Sequence, residues 1–244
     1  DAPVGSPHRR REFFLQDDVS NKFWTVELNE STVRTTYGRV GAQPRETSRT
    51  FPDPARARRE VDRLVASKVG KGYREGSLAS IPEHRKTDWS QVTMSEEVFW
   101  RLIRLLNWKK TGDDDAVVEP LVAALAQMTE EDICRFEDLL AAKLHALDTE
   151  AHAREIGAEA YRPGQHFSAD WLLYQRCVVV ANGPELYQRV LSSPQEMPKD
   201  MEFEALLSVA ATAFERKTGR DFDHVAPVSY ETFSNTAGWG GRSE

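Results

Sequence analysis

Hydrophobic and polar residues alternate in short stretches over the first 51 positions of the chain. Four stretches are rich in β-branched and aromatic residues and are separated by polar turn clusters, which is typical of an antiparallel sheet. They span residues 10–15, 22–28, 31–40 and 45–51. Asp53 and Pro54 follow as a helix N-cap and a first helical residue, and Gly70 ends the helical spacing that they begin. The pattern predicts a small antiparallel sheet followed by one helix.

From residue 94 onward, the apolar residues fall three or four positions apart, which predicts helices alone. Thr93 or Ser95 caps the first helix. The later helices are predicted at residues 116–128, 129–156, 168–182, 184–192 and 200–218. Residues 78–93 interrupt the pattern with proline and polar side chains and are expected to form a linker.

We therefore predict an α+β protein of two domains. The first is a small antiparallel β-sheet with one packed helix over residues 10–77, and the second is an all-α helical domain over residues 94–233. Residues 234–244 are small and polar apart from Trp239, so they are expected to form a flexible tail. The alternative is that Trp239 docks this tail onto another part of the protein.

The net charge of −7 hides a strong asymmetry between the two predicted domains. Residues 1–86 hold 17 lysines and arginines against 12 aspartates and glutamates, a net charge of +5, whereas residues 87–244 have a net charge of −12. Of these 17 residues, 13 are arginines, whose planar guanidinium groups match the geometry of phosphate. The first domain is therefore expected to bind an anion, unless its basic residues form only a solvated surface.

The composition also excludes several classes of protein. No stretch approaches the ~18 uninterrupted apolar residues of a membrane span, and residues 1–11 lack the apolar core of a secretory signal. Two cysteines, Cys134 and Cys177, are too few for a disulfide scaffold or a cysteine-rich zinc site. We expect a protein of the reducing cytoplasm that has no membrane partner.

Three motifs of the first domain occur in a specific order along the chain. They are Lys22-Phe23-Trp24, then Thr36-Tyr37-Gly38-Arg39-Val40-Gly41, and after the helix Lys71-Gly72-Tyr73-Arg74-Glu75. In this order they closely resemble a WGR domain over residues 10–77, with Tyr37 where the family signature has tryptophan. The resemblance implies a DNA-binding module that engages strand breaks, including the 5′ phosphate side of a break.

The resemblance also implies roles for single residues. Asn21 and Lys22 match positions that bind phosphate, Tyr37 matches the stacking aromatic, and Arg39 matches a residue with polar contacts to nucleic acid or to a neighbouring domain. Tyrosine keeps a flat face for stacking, but its smaller surface weakens that contact.

Strand alternation adds two arginines to this set. Arg45 and Arg49 point to the same side of one predicted strand, because an even number of positions separates them. In the same way, Tyr37 points to the same side as alternate residues of the strand before it. If both sets share a face, that face is basic with an aromatic centre, which suits binding to the DNA backbone without strong sequence specificity. Lys71 and Tyr73 of the closing motif complete the predicted DNA-binding residues.

The helical domain carries a second set of motif residues. They are the pair Phe99-Trp100, followed by Tyr174, Arg176 and Gly183 within the run 167–194. They resemble the family called domain of unknown function 4240 over residues 94–222. No activity follows from that family, but the resemblance implies a bacterial origin and a frequent association with WGR domains.

Asp148, His152 and Glu155 are weak candidates for a metal site. Their i, i+4, i+7 spacing places them on one side of the helix predicted at residues 129–156. A solvated helix face is the alternative interpretation. The common hydrolase and nucleotide-binding signatures are absent from the sequence, so we predict no catalytic residue and no cofactor.

Three functions remain open at this point. The first is a nucleoid-associated DNA-binding protein that recognises ends, nicks or backbone phosphates in DNA repair or regulation. The second is an adaptor whose acidic helical domain binds a protein partner. The third is a metal-dependent enzyme.

Overall fold

The computed structural model describes residues 9–81, 83–84 and 86–240. The chain divides into two units, residues 1–87 and 88–244. The first unit is a five-stranded sheet with one helix and the second is helical, which confirms the predicted α+β class. Within the described residues, no helix combines the length and the apolar character that crossing a membrane requires.

The sheet of the first unit is antiparallel and has the strand order β4-β3-β2-β1-β5. Its strands are β1 (Arg9–Gln16), β2 (Asn21–Asn29), β3 (Thr32–Arg39), β4 (Arg45–Thr50) and β5 (Arg74–Glu75). The alternation of residues predicts the first four strands correctly. It misses β5, because two residues are too few to show a period.

Helix α1 (Pro54–Val69) packs on one face of this sheet. Asp53 caps the helix, since its carboxylate accepts a hydrogen bond of 2.8 Å from the backbone N–H of Arg56. Ala57 and Val61 are the buried residues of the helix. They share a core with the sheet residues Phe13, Trp24, Val26 and Val33.

The segment after β5 packs back onto the first unit, so the prediction of a linker over residues 78–93 is wrong. The backbone N–H of Leu78 donates to Glu12 Oε2 at 2.8 Å. Farther along, His84 Nε2 lies 2.8 Å from the carbonyl oxygen of Asp17. These contacts hold an irregular segment against residues of the first unit. An irregular segment has no hydrophobic periodicity, so the sequence pattern does not reveal its packing.

The second unit begins at Asp88, before the predicted start at residue 94. Trp89 is 5% exposed and packs in the core of this unit. The backbone N–H of Met94 donates to the Asp132 carboxylate at 2.7 Å. The burial of Trp89 and the hydrogen bond of Met94 therefore place residues 88–93 in the helical unit.

Seven α-helices form the described part of the second unit. They are α2 (Glu96–Ile103), α3 (Asp114–Leu125), α4 (Glu130–Ala146), α5 (Glu150–Ala153), α6 (Ala169–Ala181), α7 (Pro184–Ser192) and α8 (Val209–Thr218). The predicted helix at residues 200–218 is shorter in the structure, where a 3₁₀ turn at Glu204–Ser208 precedes α8. Gly219 ends α8 in the left-handed conformation.

The single helix predicted at residues 129–156 is broken at residues 147–149. A remote part of the chain lies against the break, because the backbone N–H of Glu150 donates to the Gly238 carbonyl at 3.1 Å. A Cβ atom at Gly238 would come within 2.8 Å of the carbonyl oxygen of Asp148, so this position requires glycine. The apolar spacing is helical throughout, but Thr149 caps α5 by accepting a hydrogen bond from the His152 N–H, and the contact with Gly238 covers the break.

The predicted flexible tail is wrong as far as residue 240. Trp239 is 2% exposed, and its indole N–H donates to Asp148 Oδ1 at 2.9 Å. Its ring centre lies 4.5 Å from that of Phe233 and 5.2 Å from that of Tyr161. Docking through Trp239, the alternative, is what the structure shows. The remaining residues of the tail, 241–244, lie outside the described residues.

Two buried charged residues hold the C-terminal segment, residues 220–240, against the helices. Asp148 is 0% exposed and accepts a hydrogen bond of 2.9 Å from the backbone N–H of Asn235. Arg176 is also 0% exposed and donates through Nη2 to the carbonyl of Tyr230 at 2.9 Å. The arginine of the second family motif therefore stabilises the fold.

Glu137 on α4 is a buried carboxyl group in the same unit. It is 7% exposed, and one of its carboxyl oxygens has no hydrogen-bond partner among the described residues. Burial raises the pKa of Glu137 from an ordinary value of 4.5 to about 7, and the nearby His224 opposes this only in part. The folded protein therefore holds this proton more tightly than the unfolded chain does.

We expect the substitution Glu137→Gln to remove part of the pH dependence of stability. The free energy of unfolding of the native protein should fall as the pH rises from about 4.5 to about 7, because ionisation of Glu137 is easier in the unfolded chain. Glutamine has no proton to lose, so the variant should be more stable than the native protein by up to roughly 3 kcal/mol above this range.

Urea unfolding, followed by the helical circular dichroism signal on both sides of this pH range, measures the difference. Glu131→Gln on the exposed side of α4 is the matched control. Identical pH profiles for Glu137→Gln and the native protein would contradict the prediction.

Candidate nucleic-acid interface

The pairing register of the sheet gathers basic and aromatic side chains on one face. Directly opposed residues of antiparallel strands point to the same side of the sheet. The opposed pairs are Lys22 with Arg39, Trp24 with Tyr37, Tyr37 with Arg45, and Val33 with Arg49. The condition that the sequence left open, that both arginine-bearing strands share a face, is therefore met.

Helix α1 covers only part of this face. Phe13 and Trp24 are 0% and 2% exposed in the core beneath the helix. Tyr37, in contrast, is 36% exposed, and every residue of β4 is exposed. An exposed strip therefore remains along β4 and at the end of β3 that holds Tyr37 and Arg39.

A lysine outside the predicted set lies between the helix and the sheet. The Nζ atom of Lys68 is 5.5 Å from the centre of the Trp24 ring and 4.8 Å from that of Tyr73. Burial lowers the pKa of Lys68, and the charges of Lys71 and Lys22 lower it further. Three ammonium groups therefore lie near one another at this end of the sheet. Together with Arg39, opposite Lys22, we call them the basic cluster: Lys22, Arg39, Lys68 and Lys71.

The sequence does contain a signal for Lys68. The apolar positions Val61, Leu64 and Val65 of α1 continue at helical spacing to position 68, so this lysine occupies the apolar side of the helix. A lysine in such a place packs its aliphatic stem on the core and carries its ammonium group to the edge.

The turn after α1 positions the closing motif. Gly72 has a φ of +85°, a left-handed conformation that favours glycine, and there the chain turns back toward the sheet. The backbone N–H of Tyr73 then donates to the Lys68 carbonyl at 3.1 Å. Burial raises the pKa of the half-buried Tyr73 hydroxyl, whereas Lys71 is exposed.

Asn21 is the predicted DNA-binding residue that the structure does not bring to this face. It precedes Lys22 on β2 and therefore points to the other side of the sheet. Its side-chain oxygen accepts a hydrogen bond of 3.1 Å from Gln16 Nε2. A phosphate-binding role for Asn21 remains a prediction.

The cations around Tyr37 differ in their ion pairing from those elsewhere on the sheet, since even Arg11, on the face that α1 covers, pairs with Glu75 at 2.7 Å. On the other face, Arg34 pairs with Glu46 at 3.3 Å and Arg10 pairs with Glu27 at 3.1 Å. On the candidate face, four cationic side chains form no ion pair or side-chain hydrogen bond with the part of the chain that the structure describes. They are Lys22, Arg39, Arg45 and Lys71.

This arrangement places uncompensated cations beside an exposed aromatic ring. Lysine and arginine neutralise backbone phosphates and release their counterions. An aromatic face stacks on a sugar or base without reading the base edge. The geometry is therefore suited to binding a nucleic-acid backbone with little dependence on sequence.

The weak metal candidates do not converge, because the helix predicted to align them is broken. Both ring nitrogens of His152 have partners, with Nδ1 2.7 Å from Thr149 Oγ1 and Nε2 3.1 Å from the Val190 carbonyl. Asp148 instead binds the C-terminal segment, and Glu155 lies beyond the end of α5. Across the described ranges, no group of three or more histidine, cysteine, aspartate or glutamate residues is arranged to hold a metal ion.

Comparison with protein families finds two matches in the predicted order. Residues 11–79 match the WGR domain, which is a nucleic-acid-binding domain. Residues 94–216 match a family described as Protein of unknown function (DUF4240).

Two curated proteins of Escherichia coli strain K12 resemble parts of the chain. Uncharacterized protein YfeS is 30% identical over 66 residues, which make up 27% of this chain and 27% of that protein. Protein YehF is 37% identical over 65 residues, which make up 27% of this chain and 24% of that protein. The chain thus spans about a quarter of the length of these curated relatives.

A solved structure gives a weaker likeness. The crystal structure of a Bacteroides fragilis protein covers 52% of this chain and 45% of its own, with 22% sequence identity and a TM-score of 0.29. A likeness at this TM-score supports no argument about fold or function.

The position of Lys68 leads to a prediction about stability. We expect Lys68→Met to leave the free energy of unfolding unchanged or to raise it, because methionine keeps the packing on Trp24 and Tyr73 and removes a partly buried charge beside two other cations. Lys68→Ala should lower it by about 1 kcal/mol through lost apolar contact.

Urea unfolding of the three proteins, followed by tryptophan fluorescence, measures these effects. Lys71→Met at an exposed position is the control and should change little. A large loss of stability in Lys68→Met would show that the ammonium group itself stabilises the fold.

Proposed function

Since the chain belongs to the DUF4240 family and carries a WGR domain, which binds nucleic acid, we propose that it binds the sugar-phosphate backbone of DNA at ends or nicks. In this function the basic cluster holds phosphates and Tyr37 stacks on an exposed sugar or base. Base edges are not read, so the protein has little sequence specificity.

One observation supports this proposal above the others. The cations around Tyr37 are without carboxylate partners in the described part of the chain, whereas arginines on the other face are paired with glutamates. Exposed cations that have no carboxylate partner beside a partly exposed aromatic ring remain available to bind an anionic ligand.

Ends and nicks suit this site better than continuous duplex does. A terminal phosphate carries more charge than an internal one, and a break exposes the face of a sugar or base that stacking normally covers. Tyr37 provides a flat surface for such a face. We further propose that the protein acts at the nucleoid in DNA repair or regulation, because these processes generate or use DNA breaks.

A second candidate function is supported by the surface of the helical unit. Trp108 is 43% exposed, and its ring centre lies 5.0 Å from that of Phe203. Met201, two residues earlier in the chain than Phe203, is 51% exposed. Aromatic side chains such as Trp108 are enriched at protein–protein interfaces. An adaptor function predicts that a partner bound by the full chain is lost in Trp108→Ser.

The DNA-binding proposal is tested by charge-removing substitutions in the basic cluster. Arg39→Gln and Lys68→Met should each weaken binding to a nicked, 5′-phosphorylated duplex by about three- to tenfold. Each should also reduce the slope of log affinity against log salt by about one. Fluorescence anisotropy across a salt series measures both quantities.

Arg34→Gln is the matched control, because it removes an arginine from the other face of the same sheet. Equal losses in Arg39→Gln and Arg34→Gln would mean that only overall charge matters. Binding that is insensitive to salt would overturn the proposal.

The exposed tyrosine gives a second prediction for the same site. Tyr37→Trp restores the family signature and a larger stacking surface, so it should tighten binding to the nicked duplex by about two- to fivefold. Tyr37→Ala should weaken binding by about tenfold. Comparing nicked with intact duplex is the measurement, and equal effects on both would exclude stacking at the nick.

A further inference from the structure

Strand β4 is an exposed strand beside the basic cluster. It forms one edge of the sheet, and all six of its residues are exposed. Edge strands with such exposure are sites where another chain can attach. The side chains that β4 carries determine which kind of chain that is.

Two arginines of β4 point to the same side as Tyr37. Arg45 is directly opposite Tyr37 and Arg49 is directly opposite Val33. The two arginines are four positions apart, which is about 13 Å along a strand. Between them, the hydroxyl oxygens of Thr47 and Thr35 lie 2.7 Å apart. A row of cations therefore runs from the tyrosine along the edge of the sheet.

Direct ion pairs do not neutralise this row in the described part of the chain. The side chain of Arg45 has no hydrogen-bonding or ion-pair partner there. The guanidinium group of Arg49 lies 4.9 Å from the centre of the Phe51 ring. Its charge helps to lower the pKa of Glu60, but Arg63 binds that carboxylate directly, with contacts of 2.8 and 2.7 Å. Both arginines thus keep positive charge available to a ligand.

The width of the strip favours one strand of nucleic acid. Helix α1 packs against β2 and β3, and Val33 of β3 is 4% exposed in the core beneath it, so the open surface is β4 together with the Tyr37 end of β3. A narrow basic track with an aromatic ring is the arrangement by which proteins bind single-stranded DNA. The phosphate chain follows the arginines, and a base stacks on Tyr37.

We propose that β4 binds a single-stranded DNA segment that continues from the phosphate held at the basic cluster. This inference rests on the proposed function and specifies its substrate as a DNA end with a single-stranded extension. Arg45 and Arg49 bind the backbone of the extension. An acidic peptide that adds to the edge strand is the competing occupant, and the experiment separates the two.

The test compares two 5′-phosphorylated duplexes, one blunt and one with a single-stranded oligothymidine extension of about six nucleotides. The full chain should bind the extended duplex more tightly. The double variant Arg45→Gln/Arg49→Gln should lose about tenfold in affinity for the extended duplex and less than about twofold for the blunt one. Its salt slope on the extended duplex should fall by about 1.4, the value for two contacts to a single strand.

The matched control is Arg10→Gln/Arg34→Gln, which removes the same charge from the other face, where both arginines are paired with glutamates. It should bind both duplexes as the native protein does. Circular dichroism and thermal unfolding establish that both double variants are folded.

Each other outcome has a separate meaning. An extension that adds no affinity, or equal losses in the two double variants, overturns the role of β4 and leaves DNA binding at the basic cluster intact. If DNA displaces an acidic peptide from the protein but the single-stranded extension does not change the affinity, β4 binds a protein partner instead. Failure of the native protein to bind even the blunt duplex overturns the proposed function itself.

Discussion

The antiparallel register of β2, β3 and β4 is the constraint on which the candidate interface depends. It sets Trp24 in the core under α1 and Tyr37 directly beside it at the surface. A slip of one residue would turn every side chain of β3 to the opposite face, away from Lys68. Because burial of Phe13 and Trp24 fixes the register, the packing of the core and the layout of the interface have one physical origin.

Features that depend on neighbouring residues could be predicted from the sequence. The four long strands follow from alternation, α1 follows from its cap and first proline, and the basic face follows from two strands whose residues alternate. Lys68 is missed because a lysine at an apolar helical position is recognised as part of an interface only once its neighbours across the sheet are known. Strand β5 and the segment after it depend on partners 60 or more positions away.

The helical unit shows the same division between local and remote effects. Its helices and caps follow from periodicity, whereas the break after α4 depends on contacts with Gly238 and Trp239. Asp148 has the spacing of a metal ligand in a continuous helix, but in the folded unit it binds backbone and indole N–H groups. A buried carboxylate that is satisfied in this way is a structural residue, which the sequence alone does not distinguish from a ligand.

The docking of Trp239 also sets an order of events during synthesis. Residues 1–87 form a unit of their own, so the sheet and α1 can fold while the ribosome is still producing the helices. The helical unit reaches its final state only after residue 239 has emerged, because until then Asp148 has no indole to bind and Arg176 lacks the carbonyl of Tyr230. The basic first unit of a nascent chain would thus be complete well before the acidic helical unit.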